Sequence, residues 1–171
     1  ASEVEAAGVN SGEQESPLPP SVTSVSVLVP VHAPDESSLH RGVASVAAAI
    51  VHARKKRAPA LRAEVILVVD GTSVPGAVST VRAAASEQCA GLDLACRVIE
   101  GDAEAHGAGW ARNRAAEAAT GELLLCNDAD DVWFPWHVAR VLEAFEHDRG
   151  LGYVMTHVRI AEAIHGEWPP S

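Results

Sequence analysis

The sequence predicts an α/β fold, a three-layer and mostly parallel sheet with helices on both faces. Short apolar runs of strand length alternate with longer segments whose apolar residues recur every three or four positions, as in amphipathic helices. Residues 65–69 are apolar at every position, which is typical of a strand buried on both faces of a parallel sheet. Short connections and right-handed crossovers then give the parallel arrangement.

The elements of the first half follow from local signals. Residues 25–31 form a first strand, and Pro30 belongs at its end or at a sheet edge because proline lacks an amide donor. The turn at 34–38 supplies a helix N-cap. The helix ends in the basic run 54–57, which we interpret as cations at the negative end of the helix dipole rather than a phosphate or membrane patch. Its inner face carries Leu39, Val43, Val46 and Ile50.

The second half repeats the alternation. The apolar run 65–69 is the central strand, followed by a helix over about 75–86 and a short strand at 96–99. A helix over about 108–120 is closed by Gly121 as its C-terminal glycine. The later elements are a strand at 123–126, a helix beginning near Pro135 and a last strand at 153–160.

Composition sets the limits of the fold. The 171 residues suggest one domain, and 47% apolar residues suffice for a core. Residues 1–21 contain four glutamates and no lysine or arginine, which predicts a disordered, acidic and proline-rich leader. We expect the folded domain over 22–165 and a tail over 166–171.

Charge and cysteine content exclude several classes of partner. The net charge of −10 argues against nucleic acid, and the absence of an apolar run of about 18 residues predicts no membrane span in this chain. Three cysteines (Cys89, Cys96 and Cys126) without CxxC spacing predict neither a disulfide framework nor a zinc site. This favours a reducing compartment such as the cytoplasm.

Polar residues follow three of the predicted strands where each strand ends. His32 follows the first, Asp70 the second and Asp128 the fourth. Ligands of parallel sheets bind outside the carboxyl ends of the strands, so these side chains are expected at one rim. His32 can form a wall for a base, although an ordinary partly buried histidine is the alternative.

The stretch after the fourth strand carries three carboxylates within four residues, Asp128, Asp130 and Asp131. In an extended chain residues i and i+2 point the same way, so Asp128 and Asp130 can face one cation. Oxygen ligands favour Mg²⁺ or Mn²⁺. A solvated acidic loop is the alternative.

The helix that begins near residue 108 has features of an anion site. Gly107 and Gly109 let backbone amides approach an anion at the helix N-terminus, and Arg112 lies one turn further in. The alternative for Arg112 is a salt bridge, for example to Glu117. Three tryptophans flank the candidate site and can stack on a sugar or base, or simply pack: Trp110, Trp133 and Trp136.

Two other motifs fit less well. Gly107-x-Gly109 resembles a dinucleotide fingerprint, but Arg112 stands at the third glycine position and the preceding loop is too long. The acidic stretch also resembles the start of a haloacid-dehalogenase-type phosphatase. That chemistry needs a downstream lysine, and no lysine follows Lys56.

Four segments of the sequence carry recognisable motifs: residues 25–32, 64–73, 107–113 and 121–135. In this order they resemble the nucleotide-binding half of family 2 glycosyltransferases of the GT-A fold, a Rossmann-like fold of nucleotide-diphospho-sugar transferases. The third segment, Gly-Ala-Gly-Trp-Ala-Arg-Asn, is also similar to β-1,3-N-acetylglucosaminyltransferase-like proteins.

The resemblance implies a metal-dependent transfer of a sugar from a nucleotide-sugar, usually a UDP-sugar, to an acceptor hydroxyl on a glycan, lipid or protein. It implies Mn²⁺ or Mg²⁺ as cofactor, held by Asp128 and Asp130. Asp128 would contact the ribose or the metal. The nucleotide-binding positions are Pro30 and His32 against the base, Asp70 at its edge, and Gly109, Arg112 and Asp128.

Three departures from the family pattern affect this interpretation. Val69 stands where the family often has a second acid, and Ala33 stands where it has asparagine. We expect the chain to lack most of the acceptor-side half, and no residue matches the general base, so the catalytic residue is unknown. A non-catalytic nucleotide-sugar-binding fragment is therefore the alternative function.

Overall fold

The computed structural model describes residues 22–148 and 150–156, which form a parallel sheet between two layers of helices. The predicted leader and tail, residues 1–21 and 166–171, lie outside the described residues. The elements in chain order are β1 (Ser24–Val31), α1 (Glu36–Lys56), β2 (Arg62–Val69), α2 (Ala77–Cys89), β3 (Ala95–Glu100), α3 (Ala108–Ala118), β4 (Leu123–Cys126) and α4 (His137–His147).

The four described strands are all parallel and lie in the order β3-β2-β1-β4. Val31 is paired with Val69, so β1 and β2 end side by side. The ladder with β4 stops where Leu28 meets Cys126, so Pro30 lies beyond it and its missing amide breaks no β1–β4 bond. The predicted position of Pro30 at a strand end is thus correct in this sense.

The two faces of the sheet are covered by different helices, which confirms the three-layer prediction. Alternate residues of β1 and β2, such as Val29 and Leu67, enter the large core formed with α1, α2 and α4. The intervening residues, such as Leu28 and Ile66, pack against Ala111 of α3. None of the helices in the described part has the length and apolarity needed to cross a membrane.

The ends of α1 agree with the sequence prediction. Asp35 caps the helix by accepting a hydrogen bond from the Ser38 amide at 2.8 Å. At the other end, Arg54 donates to the Leu61 carbonyl at 2.9 Å and Arg57 pairs with Glu146. Both arginines of the basic run therefore fasten the end of this helix to its surroundings.

Two predicted details are wrong. Gly121 is not a left-handed helix cap, because α3 ends at Ala118 and Gly121 does not have positive φ. Gly121 instead lies against β1, where an added Cβ would be 2.5 Å from the Ser26 amide nitrogen. The predicted last strand is absent at residues 153–156, and its remainder, 157–160, lies outside the described residues.

The prediction of no disulfide is also wrong, since Cys89 and Cys96 form one, while Cys126 is free and exposed. The chain reverses between the end of α2 and the start of β3, which brings the two Cα atoms within 6.4 Å. Spacing along the chain does not reveal this reversal. The expectation of a reducing compartment depended on the absence of disulfides, so this disulfide removes its basis.

A buried carboxylate ties β2 to the end of α3 at the edge opposite the strand ends. Glu64 accepts hydrogen bonds at 2.7 Å from the Ser26 hydroxyl, the Thr120 amide and the Thr120 hydroxyl, and Arg97 donates to it at 3.2 Å. Burial by itself raises the pKa of Glu64, but these hydrogen bonds outweigh burial and hold its pKa below the ordinary value.

We expect Glu64→Gln to lower the free energy of unfolding at pH 7 by about 1–3 kcal/mol, because the charge-assisted bond to Arg97 is lost. The folded pKa of Glu64 lies below its ordinary value of 4.5, so its contribution is present above that pH and is lost as pH falls through the folded pKa. Urea unfolding from pH 7 to pH 3 tests both points. The variant should show a weaker loss of stability on acidification than the wild type, and equal curves would contradict the assignment.

We expect the double variant Cys89→Ser/Cys96→Ser to lower the free energy of unfolding by about 2–3 kcal/mol, the value for closing so short a loop. Urea unfolding with and without reductant measures this. Cys126→Ser is the matched control and should behave as wild type. If reductant does not affect the wild type, the disulfide does not form in solution.

Candidate functional site

The carboxyl ends of β1, β2 and β4 open into a cleft of about 500 Å³. His32, Asp70 and Asp128, which follow these three strands, all line it, as does Asp130. The structure thus brings the polar residues at the strand ends together in one cleft, as the sequence predicted. The other lining residues are Pro30, Val31, Ala33, Pro34, Asp35, Ser38, Leu39, Ala105, Gly107, Ala108 and Ala129.

Asp70 organises one wall of the cleft. Its side chain is buried, and its carboxylate accepts hydrogen bonds from the amides of His106 at 2.8 Å and Gly107 at 2.7 Å. Its backbone amide donates to Val31 at 2.8 Å. Each carboxylate oxygen retains a further lone pair that can accept from a ligand.

His32 is oriented by the same residue. Its Nδ1 lies 2.7 Å from the Asp70 carbonyl oxygen. Because a carbonyl only accepts, Nδ1 carries the proton, and in the neutral ring Nε2 is left as an acceptor. Gly71, at φ +88°, packs under the ring, and an added Cβ there would be 3.1 Å from Nδ1. His32 is therefore fixed by specific contacts and is not a loosely packed histidine.

The predicted anion site at the start of α3 already contains an anion of the protein itself. Gly107 is the N-cap of α3 at φ +96°, and its amide donates to Asp70. The cleft is lined by Gly107 and Ala108 but not by Gly109, at which an added Cβ would meet nothing within 4 Å. The helix dipole and the amides of His106 and Gly107 thus stabilise the Asp70 carboxylate.

The acidic residues lie in a turn, which we call the acidic turn (residues 128–131). The Asp131 amide donates to the Asp128 carbonyl at 3.0 Å, so the chain is not extended here as the i, i+2 argument assumed. Asp128 and Asp130 nevertheless both face the cleft. Desolvation, together with the charges of Asp128 and Asp130, raises the pKa of Asp131 even though this residue remains exposed.

Arg112 pairs with Asp128, whereas Glu117, its alternative partner, pairs with Arg114 at 3.3 Å. Arg112 does not itself line the cleft but acts on a residue that does. Its Nε is buried and has no hydrogen-bond partner within the described residues.

None of the three tryptophans lines the cleft, and Trp136 is exposed. Trp133 is buried and stacks on His137, with ring centroids 4.4 Å apart, and burial lowers the pKa of His137. The rings of Trp110 and His106 are in contact, with centroids 4.8 Å apart. Trp136 stacks on Phe134 at 4.7 Å.

The residues present fit a cation that arrives with a diphosphate. Within residues 22–148 and 150–156, no three His, Cys, Asp or Glu side chains form a group that could hold a metal alone. Mg²⁺ commonly takes one or two protein carboxylates and completes its shell with substrate phosphates and water. Asp128 and Asp130 supply two such carboxylates in the cleft.

Sequence reasoning missed the residues beneath the acidic turn. Gly42 lies in the middle of α1, where an added Cβ would be 2.6 Å from the Ala129 carbonyl oxygen. Ser45 accepts a hydrogen bond from the Trp133 amide at 2.9 Å. A glycine inside an amphipathic helix was the available signal, since it marks a place where another backbone approaches closely.

Comparison with known proteins identifies the family of this chain. Residues 26–171 match the model of the family described as glycosyl transferase family 2. Among solved structures, residues 1–349 of TarS from S. aureus match with 21% identity and a TM-score of 0.55. The match covers 72% of this chain and 32% of that one, so the chain spans about a third of its length. No curated protein sequence matches. The chain belongs to glycosyl transferase family 2.

Proposed function

We propose that the chain is the donor-binding portion of a glycosyltransferase that uses a UDP-sugar together with Mn²⁺ or Mg²⁺. The observation that carries this proposal is the cleft itself, which is lined both by two hydrogen-bond acceptors (His32 and Asp70) and by two further carboxylates (Asp128 and Asp130). Its volume of about 500 Å³ lies within the usual range of about 300–1,000 Å³ for small-molecule sites.

The wall at β1 and β2 suits a base that presents a ring N–H. Nε2 of His32 and the remaining lone pairs of the Asp70 carboxylate are acceptors, whereas the amides nearest to them are already used. Uracil offers such an N–H at N3. Pro30 lines the same wall and gives the base an apolar contact.

The acidic turn suits the diphosphate end of the donor. Two anionic groups repel each other unless a cation lies between them, so Asp128 and Asp130 cannot bind a diphosphate directly. A divalent cation shared by the carboxylates and the diphosphate removes this repulsion, and it stabilises the charge of the departing nucleoside diphosphate. Arg112, paired with Asp128, adds positive charge on this side.

Besides the donor site, the reaction requires a sugar to transfer, an acceptor and a general base. The proposed acceptor is a hydroxyl of a glycan, lipid or protein, and none of the described residues is assigned as the base. The non-catalytic alternative shares the same donor site and differs only in turnover. Transfer of a sugar to an acceptor by this chain would exclude it.

We expect Mn²⁺ to increase the affinity for UDP, and Asp130→Asn to weaken binding of UDP with Mn²⁺ by about tenfold or more, because a cation ligand is lost. Isothermal titration of UDP with and without Mn²⁺ measures this. Asp93→Asn, at an exposed position before β3, is the matched charge control and should titrate as wild type. Metal-independent UDP binding, or an Asp130 variant equal to wild type, would disprove the metal site.

We expect Asp70→Asn to weaken binding of uridine, and of UDP with or without Mn²⁺, by a similar factor of about ten or more, because an asparagine cannot accept from both loop amides. Asp130→Asn should leave uridine affinity unchanged. Titration of uridine with both variants separates the base wall from the metal side. Unchanged uridine affinity in a folded Asp70 variant would contradict the assignment of the base wall.

A further inference from the structure

We propose that three buried residues that do not line the cleft, Gly42, Ser45 and Asn127, position the acidic turn for its cation and thereby set the affinity for a metal-bound nucleoside diphosphate. We call them the turn clamp. The inference rests on the proposed donor site and adds residues that the family resemblance does not name.

Asn127 holds the turn from the sheet side. The residue is 3% exposed, and its own amide extends the β1–β4 ladder by donating to Leu28 at 3.1 Å. Its side-chain Nδ2 donates to the Asp128 carbonyl at 3.0 Å and to the Asp131 carbonyl at 3.5 Å. One amide group thus ties both ends of the acidic turn to the last residue pair of the sheet.

Gly42 and Ser45 hold the turn from the helix side. The Ala129 carbonyl oxygen lies 2.6 Å from the point where a Cβ of residue 42 would be, and the Asp131 carbonyl oxygen lies 3.1 Å from the same point. Ser45 accepts from the Trp133 amide at 2.9 Å and donates to the Gly42 carbonyl at 2.7 Å. The turn therefore rests directly on the backbone of α1.

The turn clamp counteracts the repulsion among the carboxylates of the acidic turn. Three carboxylates in one short turn repel one another, and in water they would move apart. Fixing the turn carbonyls from two sides keeps Asp128 and Asp130 directed into the same cleft before any cation is present. Groups that orient metal ligands in this way typically change metal affinity about 10–100-fold when removed.

Two substitutions remove the clamp by unrelated means. Asn127→Leu keeps the branched shape and the number of side-chain heavy atoms, and deletes both bonds to the turn carbonyls. Gly42→Ala adds one methyl group that displaces the Ala129 carbonyl, although alanine is the better helix former by about 1 kcal/mol. Gly152→Ala is the matched control, because that glycine has no atom within 4 Å of an added Cβ and does not have positive φ.

The test measures uridine and UDP with Mn²⁺ side by side, together with the electron paramagnetic resonance spectrum of the bound Mn²⁺. We expect both clamp variants to bind UDP with Mn²⁺ about 10–100-fold more weakly, to change the Mn²⁺ spectrum, and to retain wild-type uridine affinity. Gly152→Ala should match wild type in all three. If Gly42→Ala does not fold, Ser45→Ala replaces it, with Ser86→Ala on exposed α2 surface as its control.

The outcomes separate the two proposals. A wild-type protein without Mn²⁺-dependent UDP affinity overturns the proposed function. A wild-type protein that has it, with clamp variants that equal wild type in affinity and spectrum, overturns the clamp alone. Equal losses of uridine and of UDP with Mn²⁺ would show that these residues only support the fold, and would also overturn the clamp.

Discussion

The cleft depends on one buried carboxylate, Asp70, and on the two backbone amides that bind it. A buried carboxylate is costly unless hydrogen bonds replace its water, and the amides of His106 and Gly107 do this at the positive end of α3. The carbonyl of the same residue accepts a hydrogen bond from Nδ1 of His32. Asp70 therefore fixes the position of β1, of α3 and of the loop between β3 and α3 at once.

This interaction explains why a long loop can form a rigid wall. The β3–α3 loop is too long for a tight turn, yet it is fastened along its length, because Thr72 donates to the Asp102 carbonyl at 2.9 Å and Ser73 donates to the Ala103 carbonyl at 2.7 Å. A loop held at three points loses little further entropy when a ligand binds. This wall of the cleft is thus organised before a ligand binds.

The sequence predicted what depends on periodicity and strand ends, and failed where distant backbones approach each other. Apolar runs located all four strands of the described residues, and parallel topology placed His32, Asp70 and Asp128 on one rim. The pairing of Cys89 with Cys96 and the close approach of Gly121 to β1 depend on tertiary distances that no local pattern carries. The family resemblance supplied one clue to the local backbone conformation. Ala33 has φ +43°, a conformation that asparagine, the usual family residue there, adopts more readily.

Buried polar groups at the two ends of the sheet differ in how fully they are hydrogen-bonded. At the end where β2 begins, Glu64 is surrounded by donors, so the charge stabilises the fold. At the strand ends that open into the cleft, two buried polar atoms lack a partner within the described residues: Nε of Arg112 and Oδ1 of Asn127. The first belongs to the ion-pair partner of Asp128 and the second to the residue beneath it. Asp128 is therefore held by two residues whose hydrogen bonding is incomplete, and an unpaired buried group costs about 1–3 kcal/mol. The fold bears this cost at the two residues that hold Asp128, the residue that we propose binds the cation.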